Sequence, residues 1–259
     1  MRAALDQQPS DEKGTVELIL VDMGSLTSVR GFAEEAHRRY DRLDLLINNA
    51  GVAFPPQPLS ADGYETHFAV NHLSHFFLTT LLFDLLKKSP AARVVNVSSL
   101  AHKRSQMNFE TIVAESGYAW GRYGQSKLAN LLFTYELSRR LEAAHISNVL
   151  SAAAHPGVTY TPIADKMVES IFPKFIHGML KRVISWLPLQ SSAMGALPTL
   201  YAATAEDVRN GEYFGPARFA GHFGHPVRET SQPQSHSKEE AQQLWQLGEE
   251  LTKLSFHVS

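Results

Sequence analysis

The sequence predicts a doubly wound α/β fold, in which a mostly parallel sheet lies between two layers of helices to give three layers, α/β/α. Two patterns predict it. Short apolar runs alternate with longer segments of helical periodicity along the chain. Polar or glycine-containing turns follow three of these runs, where an open parallel sheet binds its ligands. The 259 residues, 44% of them hydrophobic, are enough for one large domain with a substantial core.

The first half of the chain is predicted to contain three strands and two helices. Residues 16–21, 43–47 and 93–97 are apolar runs of strand length. Ser25 is placed to cap a helix, because its hydroxyl can accept an unpaired amide of the first turn. A second helix, from about residue 64 to residue 88, is apolar around most of its circumference, so we expect it to be buried in the domain or in a subunit contact.

The second half continues the alternation. A helix over residues 121–144 is followed by a strand at residues 149–154, and a helix at residues 191–203 by a short strand at residues 213–214. The sequence Ser237-Lys238-Glu239-Glu240 fits a capping box for a last helix.

One pair of side chains is suited to proton transfer. Tyr123 and Lys127 stand four residues apart in a predicted helix, so they share a face. A neighbouring ammonium favours the phenolate and is expected to lower the pKa of Tyr123 from about 10, as a base working near neutral pH requires. The same spacing also arises in solvated surface pairs.

Polar turns after three predicted strands add further candidates. Asn48-Asn49-Ala50-Gly51 follows one strand, Ser98-Ser99 follows the next, and His155-Pro156-Gly157 follows a third. The carboxyl ends of parallel strands meet at one edge of a sheet. A serine hydroxyl at this edge can donate to a substrate oxygen, although serine is also a common turn former and Pro-Gly by itself indicates only a turn.

Several ordered motifs extend from about residue 16 to residue 254. They are Asp22, Asn48-Asn49-Ala50-Gly51, Asp62-Gly63-Tyr64-Glu65, Asn71-His72-Leu73, Ser98-Ser99-Leu100-Ala101-His102, Tyr123 with Lys127, and His155-Pro156-Gly157 with Thr161. In this order they resemble the short-chain dehydrogenase/reductase family, and within it the retinol-dehydrogenase-like members. The resemblance implies a single NAD(P)-binding domain of the Rossmann type over residues 1–259 and a homodimer or homotetramer.

The resemblance implies a catalytic role for four residues. Tyr123 is the acid/base, Lys127 lowers its pKa and holds the nicotinamide ribose, and Ser99 polarises the substrate oxygen. Asn71 orders a proton relay through a water held by its backbone carbonyl. Judged from its apolar helix alone, Asn71 is as readily a buried amide with satisfied partners.

The resemblance also implies a cofactor site along the strand ends. Asp22 has the alternative of a helix-cap or solvated role. The implied contacts are Asp22 with the adenine edge, Asn48, Ala50 and Gly51 with the adenine ribose, Tyr123 and Lys127 with the nicotinamide ribose, Pro156 and Gly157 with the nicotinamide, and Thr161 with its carboxamide or the pyrophosphate.

The sequence departs from the family at its start. Family members open with a strand and a Thr-Gly-x-x-x-Gly-x-Gly turn that binds the pyrophosphate, and no such turn precedes Asp22. We therefore expect an N-terminally incomplete domain whose first βαβ unit is largely missing. The predicted strand at residues 16–22 would then lack a neighbour.

Residues 168–187 carry apolar side chains at helical spacing, with Lys174, Lys181 and Arg182 on the other side. They fit a lid over the substrate pocket or an interfacial membrane helix. Either arrangement makes the pocket entrance apolar. This favours a lipophilic substrate and leaves peripheral membrane contact open.

The predicted function is therefore hydride transfer between NADP or NAD, with NADP slightly favoured by the resemblance, and a lipophilic alcohol or carbonyl compound. The alternative is a truncated pseudoenzyme or a dimerising binding module that does not bind dinucleotide. A sugar-nucleotide epimerase is disfavoured, because the region after Gly157 is too short and too apolar for a nucleotide-sugar domain.

Composition argues against other classes. A formal net charge of −2, without a basic stripe, gives no reason to expect nucleic acid binding. The absence of cysteine excludes disulfides and thiolate metal sites. The pairs His72/His75 and His222/His225 lack a third ligand, so no metal site is predicted. The start has no apolar signal region, so we expect an intracellular protein, cytoplasmic or peripheral on an internal membrane, and not a secreted one.

Overall fold

The computed structural model of the chain describes residues 14–110, 120–158 and 190–259, and these residues contain one five-stranded sheet. Neighbouring strands follow the chain order β1-β2-β3-β4-β5. The first four are parallel, and β5 is antiparallel to β4. The strands are β1 (Leu45–Asn48), β2 (Ala92–Val97), β3 (Val149–Ala154), β4 (Tyr213–Arg218) and β5 (Phe223–Arg228). The predicted parallel α/β sheet is confirmed, whereas β5 was not predicted.

Five main helices accompany the sheet in the described residues. Two serines cap them as predicted: Ser25 Oγ accepts from Ser28 N at 3.3 Å, and Ser237 Oγ accepts from Glu240 N at 3.2 Å. The helices are α1 (Leu26–Arg39), α2 (Thr66–Lys87), α3 (Trp120–Ala143), α4 (Ser192–Thr204) and α5 (Lys238–Thr252). Their bounds lie within two residues of the predicted ones where both ends were predicted.

The two faces of the sheet are covered by different helices. On one face, Leu46 of β1 and Val94 of β2 pack into a core with α1, α2, α3 and α5. On the other face, Val95 of β2 and Ala152 of β3 pack against Ala202 of α4. Successive side chains of a strand point to opposite faces, so both faces of β2 are apolar, as expected of a strand buried on two sides.

Helix α2 is apolar on most sides because it crosses the interior of the domain. It is long and apolar enough to span a membrane by length and composition, but 78% of its most apolar window is buried within the protein. Phe76 and Phe77, each 1% exposed, lie in the main core. Of the two predicted environments, burial in the domain accounts for its composition.

The prediction of a strand at residues 16–21 is wrong. Residues 14–22 form no strand, and Leu18 and Leu20 are 78% and 84% exposed. A strand exists only through hydrogen bonds to a neighbour, and the nearest sheet strand in sequence, β1, pairs with β2 alone. The expectation that this run lacks a neighbour thus agrees with the described residues. The lid or membrane helix predicted at residues 168–187 lies outside the described residues.

Candidate active site

Register brings the polar turns together at one edge of the sheet. Strands β2 and β3 pair from Ala92↔Val149 to Val97↔Ala154, so both end at the same level. Ser98 and His155 therefore leave the sheet side by side, and Ser98 N still donates to Ala154 O at 2.8 Å. Helix α3 packs against both strands and carries Tyr123 to this edge.

Tyr123 and Ser99 meet at that edge. The Tyr123 side chain is partly buried, and this burial raises the pKa of its phenol, while a hydrogen bond with the Ser99 side chain lowers it and offsets part of the effect. Ser99 is partly exposed and begins the 3-10 helix Leu100–Arg104, whose Ala101 N donates to Ser99 Oγ at 3.3 Å. A phenol and a hydroxyl thus face the same accessible point.

The two serines of the pair have different surroundings. Ser98 is 2% exposed, and its hydroxyl donates to Lys127 O at 2.8 Å, which ties the end of β2 to α3. Ser99 instead contacts the Tyr123 phenol. This geometry supports Ser99, the second serine, as the residue that acts on a substrate.

Lys127 lies behind Tyr123 and is almost fully enclosed. Its side chain is 4% exposed, its Nζ donates to Val97 O at 3.0 Å, and Nζ is 5.8 Å from the centre of the Tyr123 ring. Burial lowers the pKa of Lys127 to about 8. The expected fall in the pKa of Tyr123 is not what the structure gives, because burial of the phenol outweighs the opposing hydrogen bond from Ser99.

Asn71 occupies a widened turn of α2 and has all of its amide satisfied. The turn Ala69–Leu73 is π-helical. Asn71 Nδ2 donates to Val52 O and to Ser126 Oγ, both at 2.9 Å, and Asn71 Oδ1 accepts from Val52 N at 2.7 Å. The side chain therefore joins the turn after β1 to α3, as the satisfied-amide alternative predicted. The relay role of its backbone carbonyl remains a proposal.

Asn48, the last residue of β1, is buried, whereas the residues that follow it are exposed. Asn48 is 2% exposed, and its Nδ2 donates to Thr79 Oγ1 at 3.1 Å and to Asn96 Oδ1 at 2.8 Å. These bonds hold the Asn48 side chain within the domain, and the predicted contact of this residue with the adenine ribose remains a proposal. Ala50 and Gly51 are exposed.

Gly51 brings bare backbone close to the buried lysine. A Cβ at this position would lie 3.0 Å from Asn71 Oδ1 and 3.4 Å from Lys127 Nζ. A larger residue would crowd both atoms, so the glycine keeps a gap beside the ammonium. The neighbouring Ala50 O accepts from His75 Nε2 at 2.8 Å, and this hydrogen bond ties the turn after β1 to α2.

Asp22 stabilises the turn before α1. Its Oδ1 accepts from Gly24 N at 2.8 Å, its backbone N donates to Ser28 Oγ at 2.9 Å, and its backbone O accepts from Ser25 N at 3.1 Å. Ser25, not Asp22, caps α1, and the exposed Asp22 side chain fits the solvated role that was the other alternative. Because its side chain is exposed, a contact with adenine remains a proposal.

The Pro156-Gly157 turn follows β3, as predicted. Gly157 has φ +69°, and a Cβ there would lie 2.4 Å from His222 O. Both features require glycine. Gly157 N donates to His155 Nδ1 at 3.2 Å. Thr161 lies outside the described residues.

Sequence reasoning assigned no role to two acid–histidine pairs near the site, in each of which the histidine is buried. Glu65 Oε1 is 2.7 Å from His67 Nδ1 while Glu65 Oε2 caps α2 by accepting from Phe68 N at 2.8 Å, and the His67 ring is 6.2 Å from the Tyr123 ring. Glu229 Oε2 is 3.2 Å from His155 Nε2. Glu65 stands three residues before an amide that it caps, a local signal that could have been found, whereas Glu229 is 74 residues from its histidine.

The described residues contain no group of three or more histidine, cysteine, aspartate or glutamate side chains that could hold a metal. His72 and His75 are each buried, and burial lowers their pKa values to about 3 and about 4. His72 Nδ1 contacts Asn130 Oδ1 at 3.2 Å. Both rings belong to the interior of the domain.

Comparisons with known proteins agree with this architecture. A family model described as short chain dehydrogenase matches residues 1–171. Retinol dehydrogenase 14 of Mus musculus is 38% identical over 245 residues, which cover 93% of this chain and 68% of the relative. Polyprenol dehydrogenase of Homo sapiens is 35% identical over 243 residues, covering 92% and 69%. The crystal structure of an uncharacterized protein from Mycobacterium Paratuberculosis has a TM-score of 0.74 and 36% identity, covering 99% of this chain and 81% of that one.

Proposed function

The chain belongs to the short-chain dehydrogenase family of oxidoreductases, and on that premise we propose that it transfers hydride between a nicotinamide cofactor and a lipophilic alcohol or carbonyl compound. One observation carries the proposal. The Ser99 hydroxyl contacts the Tyr123 phenol at the accessible edge of the sheet, and the Lys127 ammonium lies 5.8 Å from the centre of the phenol ring.

The residues beside Gly51 fit a nicotinamide cofactor at its ribose. The glycine leaves space next to Lys127 Nζ, and a Cβ would fill that space. Lys127 Nζ carries three hydrogens, of which one is directed at Val97 O, so the others can bind sugar hydroxyls. The Pro156-Gly157 turn, which follows β3, is proposed to border the nicotinamide. When bound, the nicotinamide supplies the carbon that gives or accepts hydride.

Tyr123 supplies the proton. Because burial raises its pKa, the phenol is protonated near neutral pH, and it is ready to donate to a carbonyl oxygen. Ser99 is close enough to the phenol to bind the same oxygen and to stabilise negative charge on it. In the direction of alcohol oxidation, Tyr123 must first lose its proton, and the positive charge of Lys127 favours that form.

The names of the relatives support a lipophilic substrate. Retinol and polyprenol are both long apolar alcohols, and dehydrogenases named for them are 38% and 35% identical to this chain. The proposal has four further parts. They are use of NADP in preference to NAD, peripheral membrane contact through residues 168–187, an intracellular location, and assembly as a homodimer or homotetramer. The family resemblance supports the cofactor preference and the assembly.

Replacement of the tyrosine tests the proposal. We expect Tyr123→Phe to bind NADPH as the parent chain does and to lose about 100- to 10,000-fold in turnover of retinal or a long-chain aldehyde, because the proton donor is gone. Tyr135→Phe is the matched control, since Tyr135 lies on the same helix and bonds Ser231 Oγ at 2.7 Å. Retained turnover in Tyr123→Phe contradicts the assignment of Tyr123. If the parent chain binds no dinucleotide, the result favours the alternative of a pseudoenzyme or binding module.

A further inference from the structure

A half-buried carboxylate joins two turns of the proposed site. Glu229 Oε2 is 3.2 Å from His155 Nε2 and 3.6 Å from Lys103 Nζ. The side chain of His155 is 0% exposed and that of Glu229 is 13% exposed. The hydrogen bond to the fully buried His155 is therefore weakly screened by water, whereas the contact with Lys103, whose side chain is 39% exposed, is screened more strongly.

The hydrogen bonds define which nitrogen of His155 carries its hydrogen. Nδ1 accepts from Gly157 N at 3.2 Å, so Nδ1 has no hydrogen. Nε2 then carries it and donates to Glu229 Oε2. A neutral ring thereby connects the backbone of the Pro156-Gly157 turn to the carboxylate, and it does so only in this tautomer.

Two glycines leave room for this pair. A Cβ on Gly215 would lie 2.0 Å from His155 Nε2 and 2.7 Å from Glu229 Oε1. A Cβ on Gly221 would lie 2.6 Å from Glu229 Oε1. Gly215 has no positive φ, so the close approach of His155 and Glu229 is the reason for glycine at that position.

The carboxylate also reaches the turn that carries the serine. Lys103 belongs to the 3-10 helix Leu100–Arg104, for which Ser99 is the N-cap. The next residue inward, His102, is 0% exposed and donates from Nδ1 to Ser99 O at 2.6 Å. A shift of this helix therefore moves Ser99, and the contact of Glu229 with Lys103 opposes such a shift.

We propose that Glu229 is a positioning residue for the proposed hydride-transfer site. With His155 and Lys103 it forms a clamp, called here the Glu229 clamp, that holds the Pro156-Gly157 turn at a fixed distance from the Ser99 turn. The inference rests on the proposed function for its catalytic consequence. Its structural part, the tautomer of His155, stands independently.

Cofactor affinity is the first test of the clamp. Glu229→Ala removes both contacts, so we expect the dissociation constant for NADPH to rise about 10-fold, the equivalent of about 1.4 kcal/mol, and the KM for the aldehyde to change little. Glu229→Gln is expected to retain most of the affinity, because its amide oxygen can still accept from His155 Nε2. Glu212→Ala is the matched control, since Glu212 pairs with Arg228 on the same hairpin at 2.6 Å.

The nitrogen chemical shifts of the His155 ring are the second test, and they need no variant and no cofactor. We expect a protonated Nε2 and an unprotonated Nδ1 in the parent chain. The other tautomer overturns the clamp, as does unchanged NADPH affinity in Glu229→Ala or an equal loss in Glu212→Ala. If the parent chain binds no dinucleotide, the proposed function is refuted instead. The nitrogen chemical shifts of the His155 ring then still test whether the Glu229 clamp exists.

Discussion

Replacing Lys127 with methionine is expected to stabilise the protein while removing its activity. Burial lowers the pKa of Lys127 from 10.5 to about 8, so keeping the charged lysine in the folded state costs about 3 kcal/mol at neutral pH, on the scale of 1.36 kcal/mol for each tenfold change. Methionine has a similar length and no charge. The substitution loses the hydrogen bond from Nζ to Val97 O, worth about 1 kcal/mol. Asn130 Nδ2 still donates to that carbonyl at 3.1 Å, so it is not left unpaired.

The net expected gain is about 2 kcal/mol in the free energy of unfolding at pH 7, measured by urea denaturation. Its dependence on pH has a defined sign. Between pH 8 and about 10.5 the unfolded chain binds more protons at Lys127 than the folded chain does, so the parent protein gains stability with rising pH. The advantage of Lys127→Met is therefore largest below pH 8 and shrinks as the pH approaches 10.5.

A matched control separates burial of the charge from its simple removal. Lys88 is exposed near the end of α2, and Lys88→Met is expected to change stability by less than about 0.5 kcal/mol. The turnover of Lys127→Met should fall in parallel with its gain in stability, as expected of a residue retained for function. A variant less stable than the parent at every pH, by the same amount, would refute the reasoning.

Three smaller changes test other parts of the site and the fold. Ser99→Ala is expected to lower kcat about 100-fold, because it removes a donor to the substrate oxygen, and to cost up to about 1 kcal/mol of stability, because Ser99 Oγ also caps the 3-10 helix; a change in kcat of less than threefold speaks against the catalytic role. Gly124→Ala places a Cβ 2.9 Å from Ala101 O, so we expect a loss of about 1–3 kcal/mol in denaturation, and unchanged stability would show that α3 and the 3-10 helix can separate. Ser237→Ala removes the cap of α5 and should lower the free energy of unfolding by about 1 kcal/mol. Thermal unfolding measures this loss, and the activity of the variant is expected to stay unchanged.

Local patterns predicted most elements because their cause is local. The serine cap of α1 and the apolar runs of β2 and β3 each lie within one segment of sequence, and each was found where predicted. Strand β5 was missed because Phe223–Arg228 contains Gly224 and Pro226, which argue against a strand. At the edge of a sheet both are tolerated, and β5 is an edge strand.

The run at residues 16–21 shows the opposite error. Its composition favours a strand, but no partner lies beside it in the described residues. The resemblance implied that Asn48 lies along the adenine ribose, and that contact stays a prediction. Alternation along β1 places Asn48 on the same face as buried Leu46, where its amide binds Asn96 and Thr79. Which side chains of β1 can reach a ligand therefore depends on which face of the strand is covered by the core, and the sequence of β1 alone does not give that.

The sequence by itself determined the alternation of strands and helices, the placement of Tyr123, Lys127 and Ser99 near one sheet edge, and the family to which the chain belongs. Only the tertiary structure decided the electrostatics of that edge. Whether a neighbouring lysine lowers the pKa of a tyrosine depends on how far each group is removed from water, and burial acts on both here. The partnership of Glu229 with His155 likewise depends on folding, because it joins residues that are distant in the chain and adjacent only in space.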